Sequence, residues 1–173
     1  MHEPGTATPH ANLDLDATLA EHAAAAGQMH DAVLVESGLH RSRHATVAHL
    51  VFFRAGGLDA ATLAEVTHDL QFRLGTTPGL DAAALDVSTP GIQRTLKHAR
   101  EYMIFVGKGV RVLRTDSEAW HEGIISGVRE DSLVLEPLAG ATNGPRLVPF
   151  AQIRKAQLTG SEMEETRGVD DVE

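Results

Sequence analysis

The stretch Asp86-Val87-Ser88-Thr89-Pro90-Gly91-Ile92-Gln93-Arg94-Thr95-Leu96-Lys97 divides the chain into two halves of different character. It reads as the end of a strand, a Pro-Gly turn and the opening of a basic segment. Pro90 fixes its own φ and biases Thr89 toward extended backbone. Gly91 after Pro90 suits a type II turn, whose third residue needs a positive φ. The Ser88 hydroxyl suits a bond to turn backbone. It is not the nucleophile of a Gly-x-Ser-x-Gly elbow, because neither flanking glycine is present.

Upstream, helical and strand periods alternate. Asp14 or Asp16 caps a helix running to about Gly27, with Leu15, Leu19, His22, Ala23 and Ala26 on one face. Gly27 reads as its stop. Ala32 to Leu39 and Ala45 to Arg54 read as two strands paired in a hairpin. Ala55-Gly56-Gly57 ends the second strand. Asp59 then caps a helix to about Leu74, with Leu63, Val66, Leu70 and Leu74 buried and Gly75 as C-terminal cap. Ala83 to Val87 reads as a third strand. The expectation is a small α/β domain over 13–88, KH-like in its two helices on a three-stranded sheet.

Downstream the periods shorten. His98 to Val106 reads as a short helix. Gly109–Arg114, Gly123–Arg129, Ser132–Glu136 and Arg146–Phe150 read as strands. Glu130-Asp131 is a tight turn, Ala139 to Pro145 a loop and Ala151 to Ile153 a 3₁₀ turn. A last strand runs to about Leu158. Five short strands of this spacing suggest a small β-barrel of SH3 or Sm type over 92–160. The fold expected is therefore α+β, with residues 89–91 as the inter-domain turn setting the relative orientation of the two domains. Residues 1–12 and 161–173 read as disordered tails.

The 173 residues are 42% hydrophobic and 4% aromatic, so a core must be built from Leu, Val, Ile and Ala. With no Cys, disulfides and Cys-ligated metals are excluded. No apolar run approaches the ~20 residues of a membrane span, and residues 1–12 lack the apolar stretch of a secretory signal. A cytoplasmic location without membrane contact is expected.

The net charge of −9 is unevenly spread: −6 over residues 1–85, +2 over 86–160 and −5 over 161–173. From Arg94 to Arg114 six bases (Arg94, Lys97, Arg100, Lys108, Arg111, Arg114) stand against one acid, Glu101. Such a run reads either as a solvated face or as a contact for phosphate. Trp120 falls in the expected loop Thr115 to Glu122. There it reads either as an anchor against the barrel or as a partner hot spot. Tyr102 and Phe105 read as core.

Catalytic and cofactor patterns are absent. Of ten histidines, His40, His44 and His49 share no helical face, and His121-Glu122 lacks the second His of a metalloprotease helix. Gly107-Lys108-Gly109 lacks the rest of a P-loop. Gly56-Gly57 reads as a strand-to-helix turn. Glu130-Asp131 and Glu164-Glu165 lie in a turn and a tail, without the enclosure that tunes acid–base pairs. No enzyme, cofactor, metal or small-molecule substrate is expected.

The run Val87 to Leu96 resembles the signature of the RimP family of ribosome maturation factors, in which Val-Ser-Ser-Pro-Gly-hydrophobic-acidic-Arg-Pro-Leu joins two domains. Thr89 stands in place of a Ser, Gln93 in place of the acid and Thr95 in place of the second Pro. The resemblance extends over roughly 13–160. Gly56-Gly57 and Val66-Thr67-His68 stand where that family has a Gly-Gly turn and a Val-Ser-Arg step, and Leu63 where a Cys is common. Phe105-Val106-Gly107-Lys108-Gly109-Val110-Arg111-Val112 is similar to the opening of its barrel. Gly123 to Val128 and Ile153 to Leu158 are similar to later barrel strands. The resemblance implies a non-enzymatic factor in maturation of the small (30S) ribosomal subunit. It implies binding to the immature particle through 16S rRNA and a basic small-subunit ribosomal protein. An acidic face would meet the basic protein, and a local basic stripe would meet phosphate. Ser88, Thr89, Pro90, Gly91 and Arg94 form the expected inter-domain motif. Arg94, Lys97, Arg100, Lys108, Arg111 and Arg114 are the expected ribosome contacts. Two other readings of the same residues are a general Sm-like RNA-binding module and a protein adaptor that makes no RNA contact.

Overall fold

The structure, a computed structural model, describes residues 14–139 and 144–162. It is a mixed α+β architecture in the order α1 (Leu15–Met29), β1 (Val33–Arg41), β2 (Thr46–Phe53), α2 (Ala60–Gly75), β3 (Ala84–Ser88), β4 (Thr95–Leu96), α3 (Ala99–Ile104), β5 (Lys108–Arg114), β6 (Trp120–Val128), β7 (Ser132–Glu136), β8 (Arg146–Pro149), a 3₁₀ turn (Phe150–Gln152) and β9 (Ile153–Glu162). The chain divides into two compact units, Met1–Thr89 and Pro90–Glu173. The expected tail 1–12 lies outside the described residues, as do 163–173 and part of the loop after Ala139.

In the first unit both long helices start where an aspartate can satisfy the orphan N–H groups of the first turn. Asp14 accepts from the Ala17 N–H at 3.3 Å, and Asp59 accepts from the Thr62 N–H at 2.7 Å. The Thr62 bond holds the Asp59 carboxyl below its ordinary range. The sheet order is β1-β2-β3, with β1 and β2 antiparallel and β2 and β3 parallel. Two-residue alternation turns Ala48, Leu50 and Phe52 of β2 to one side, where they form one buried cluster with Leu19, Ala23 and Ala26 of α1 and Val66, Leu70 and Leu74 of α2. His49 lies on the other side of β2, bonded to Asp86 of β3 at 2.9 Å.

The helix ends differ from the expectation. Gly27 does not stop α1, which runs on to Met29. The left-handed residue is Asp31, at φ 53°, and the Ala32 N–H donates to the Gly27 carbonyl at 2.9 Å. This is a Schellman closure in which an aspartate takes the glycine's usual place. Gly27 serves close packing instead: a β-carbon there would stand 2.6 Å from the Ala32 carbonyl oxygen and 2.9 Å from the Phe52 ring. Gly75 is the last residue of α2 rather than a left-handed cap, and Thr76 caps it.

The second unit is a six-stranded sheet in the order β4-β9-β5-β6-β7-β8, with every neighbouring pair antiparallel. β4 and β8 are its two edges, and no pairing between them closes the sheet. Register shifts at Lys108/Val110, Leu113/Arg114 and Ile125/Gly127 bend it. Its buried residues include Leu96, Phe105, Val110, Val112, Ile125, Leu133, Val148 and Ala156. Two strand features were not foreseen. β4 pairs Thr95 with Gln157 and Leu96 with Ala156, adding a sixth strand. β9 continues through Ser161 and Glu162, which belong to the sheet and not to a tail.

The glycine geometry yields a paired prediction. Gly27→Ala should destabilise the protein by about 1–3 kcal/mol, because backbone must move to admit the methyl group. Gly75→Ala, with open space around the site, should leave stability unchanged or raise it by up to ~1 kcal/mol. Urea unfolding of the two variants checks both.

Candidate functional site

The quoted stretch does not form the expected turn. Gly91 lacks a positive φ, so Pro90-Gly91 is not the centre of a type II turn. The turn lies two residues later: the Arg94 N–H donates to the Gly91 carbonyl at 3.0 Å, around Ile92 and Gln93. These keep negative φ, as ordinary L-residues prefer. Ser88 closes β3 and Pro90 opens the second unit.

From that turn the chain enters a tightly bonded corner. The Arg94 guanidinium donates to Glu101 Oε1 through Nη2 at 2.7 Å and through Nε at 3.0 Å. Glu101 Oε2 accepts from the backbone N–H of Lys97 at 2.6 Å and of His98 at 3.2 Å. The Arg94 carbonyl accepts from the Leu158 N–H at 2.9 Å. Glu101 is 5% exposed. Burial opposes its ionisation. The bonds from Lys97, Arg94 and His98 outweigh that, and the carboxyl is held below its ordinary range. Arg94 was expected as a phosphate contact, but its guanidinium is committed to Glu101 inside this corner. Burial pushes the neighbouring Tyr102 hydroxyl up to about 12, with the Glu101 charge adding to the shift.

Register then decides which side chains share the outer face of the sheet. Thr95 stands opposite Gln157, Gln157 opposite Arg111, and Arg111 opposite Glu122. Lys155 stands opposite Leu113, and Leu113 opposite Trp120. The partners between these rows, Leu96, Ala156 and Val112, are buried. A polar ladder crosses three strands. Gln157 Nε2 donates to Thr95 Oγ1 at 3.3 Å, and Arg111 Nη2 donates to Gln157 Oε1 at 2.9 Å. The same guanidinium lies 4.9 Å from the centroid of the Trp120 ring, in cation–π geometry. Trp120 is 38% exposed and opens β6 rather than sitting in a loop. It also borders a cleft of about 300 Å³ with His121, Glu136 and Arg146.

The remaining expected contacts are spread around this face. Lys97 follows β4 directly and is exposed. Arg100 is exposed on α3, and Lys108 is half-buried at the start of β5. Arg114 turns to Asp116 at 2.6 Å and Gln152 at 2.9 Å, so its charge is locally matched. Sequence reasoning passed over three residues, Arg154, Lys155 and Gln157. The alternation in Ile153 to Leu158 could have found the last two, because Lys155 and Gln157 fall opposite the apolar Ala156 and Leu158.

A groove of about 420 Å³ lies where β4 meets β9, α3 and the 3₁₀ turn, with Lys97, Arg154 and Lys155 as the charged residues lining it. Its apolar side includes Tyr102 and Phe150, stacked with ring centroids 5.5 Å apart. Arg154 is held by two bonds to Glu118 at 3.1 and 3.2 Å, which keep that carboxyl below its ordinary range. Among the described residues no cluster of His, Asp and Glu is arranged to hold a metal ion. No helix among them is long and apolar enough to cross a membrane.

No protein-family model matches the chain. Two curated relatives share a description. The chain is 36% identical over 83 residues to the ribosome maturation factor RimP of Variovorax paradoxus (strain S110), a match covering 47% of this chain and 39% of that protein. It is 25% identical over 126 residues to the ribosome maturation factor RimP of Borrelia hermsii (strain HS1 / DAH), covering 73% of this chain and 83% of that protein. The match thus spans about two fifths of the Variovorax protein's length, and most of the Borrelia protein's.

The buried corner makes a stability prediction. Arg94→Ala leaves Glu101 buried without its cation and should cost about 3–5 kcal/mol. A carboxyl held below its unfolded value stabilises the fold above that value and loses the contribution as pH falls through the folded one. Stability should therefore be lost on acidification below about 4.5, the ordinary value for this group. Glu101→Gln should be less stable at neutral pH and should fall less on acidification. Chemical denaturation across pH measures both effects.

Proposed function

We propose that the protein is a ribosome maturation factor, acting in assembly of the small (30S) subunit as a binding factor rather than an enzyme. The observation that carries this reading is the match of 126 residues to a protein of that description. It is longer than either compact unit, so it takes in parts of both. The order of elements agrees with the domain plan that the RimP resemblance implies. We accordingly read the first unit as KH-like and the second as an SH3-like barrel in which β4 and β8 are the open edges.

In this reading the immature particle is bound through 16S rRNA and a basic ribosomal protein. The outer face of the second unit supplies the cations. Lys97, Lys155 and Arg111 stand there beside the exposed Trp120, on a protein whose net charge is −9. The acidic first half, at net −6 over residues 1–85, suits contact with a basic protein. Charge segregated in this way steers two unlike partners to two different surfaces. Arg94 serves the fold, and the phosphate contacts fall to the side chains that point outward.

Sedimentation of cell extract tests the assignment. The protein should comigrate with free small subunits and their precursors, and it should be missing from translating ribosomes. Recovery only at the top of the gradient would overturn the reading. Comigration that survives nuclease treatment, with purified rRNA unable to compete, would replace it with an adaptor that contacts protein alone.

A further inference from the structure

The groove at the end of the β4–β9 ladder has an electrostatic peculiarity. The β4–β9 pairing ends at Leu96 and Ala156, and the residues that come next along the two strands, Lys97 and Lys155, both line the groove. Neither ammonium has an ion-pair partner among the described residues, and both side chains are exposed. The carboxylates bonded to lining residues are already matched, Glu101 by Arg94 and Glu118 by Arg154. Lys97, Arg154 and Lys155 are the charged residues that line the groove, and no acid lines it. Arg154 is matched by Glu118, and among the described residues the ammoniums of Lys97 and Lys155 are left without a carboxylate to neutralise them. An anionic ligand would neutralise them.

The walls narrow the kind of anion. The volume of about 420 Å³ lies within the ~300–1,000 Å³ of small-ligand sites. One side is apolar, made by Leu96, Ile153 and the stacked pair Tyr102–Phe150, and Phe150 is only half-buried. Cations on one side and an aromatic edge on the other match a nucleotide whose base is free to leave the stack. A duplex would present its phosphates but keep its bases from the wall. We infer that this groove binds single-stranded RNA, with Lys97 and Lys155 on backbone phosphates and a base against Phe150. The inference rests on the assignment to ribosome maturation for its biological setting, and it names the part of the protein that would touch unpaired rRNA.

The test uses the full chain and a short fluorescein-labelled RNA without self-complementarity, measured by anisotropy as single strand and as duplex over a salt series. The single strand should bind about tenfold or more tightly than the duplex. Lys97→Ala and Lys155→Ala should each lower the slope of log K against log salt by ~0.7. Phe150→Leu should weaken binding at least about fivefold and leave the slope unchanged. Ultraviolet crosslinking of the unmutated protein should place adducts on peptides holding Tyr102 or Phe150, which keeps the test valid if Phe150→Leu folds poorly. Equal binding of duplex and single strand, unchanged slopes in both lysine variants, or preferential binding of an acidic peptide would each overturn the inference. If the protein comigrates with small subunits but the groove variants bind RNA like the parent, the groove assignment alone fails. If the oligonucleotide results hold but comigration is absent, the ribosomal assignment fails and the RNA groove stands.

Discussion

The second unit is organised around one buried carboxylate. Glu101 accepts four hydrogen bonds, two from the Arg94 guanidinium and two from the backbone of Lys97 and His98. A buried ion pair adds little net stability compared with well-packed apolar residues, because desolvation offsets most of the attraction. Its value here is positional. β4 is two residues long and forms one edge of the sheet. A strand that short gains too little from its own ladder to choose a register. The Arg94–Glu101 clamp and the Leu158–Arg94 backbone bond select one. A slip of one residue would reverse every side chain in the segment between inner and outer face. Leu96 would leave the core and Lys97 would leave the surface.

That register converts a list of bases into a surface. Six cations crowd the sequence between Arg94 and Arg114, but the fold disposes of them unequally. Arg94 is committed to Glu101, Arg114 to Asp116 and Gln152, and Arg111 to Gln157 and the Trp120 ring. Lys155, nearly sixty residues beyond Lys97, lines the same groove. At physiological ionic strength charges more than ~8 Å apart are largely screened in solvent. The neighbouring lysines that line one groove, Lys97 and Lys155, therefore count for more there than the summed charge of the whole chain.

These two facts explain which parts of the structure were legible in sequence. α1 and α2 were, because their apolar stripes have the helical period and Asp14 and Asp59 stand where caps must. β1, β2, β3 and β5 through β9 were, to within a few residues, because turn residues bracket runs of β-formers. What failed was non-local or conformational. β4 has too few residues for any period, and it exists only because β9 returns beside it. Residue type alone marks Gly27 as a helix stop, Gly75 as a C-terminal cap and Gly91 as a positive-φ turn residue, yet the left-handed position at the end of α1 is filled by Asp31. Trp120 was placed in a loop because its partner Leu113 lies across a turn whose length sequence does not reveal. Arg94 was counted as a free cation because Glu101, seven residues on, looked like a lone acid in a basic run. Lys155 is far from Lys97 in sequence, and only the return of β9 beside β4 brings both to one groove.

The division of labour between the two kinds of cation follows from their chemistry. Arginine carries a rigid planar fork and suits bonds whose geometry must be fixed. Arg94, Arg111, Arg114 and Arg154 all point such a fork at a carboxylate or amide oxygen of this same chain. Lysine carries a compact, strongly hydrated charge on a flexible stem, and among the described residues the two lysines at the groove make no such side-chain bond. A contact meant to position a phosphate without reading a base needs charge and reach more than geometry. The arginines thus build the platform, and Lys97 and Lys155 are what it holds out. The same logic separates Arg94 and Lys97, three residues apart in the segment that first marked the chain: one is bonded into the fold, and the other is left exposed by it.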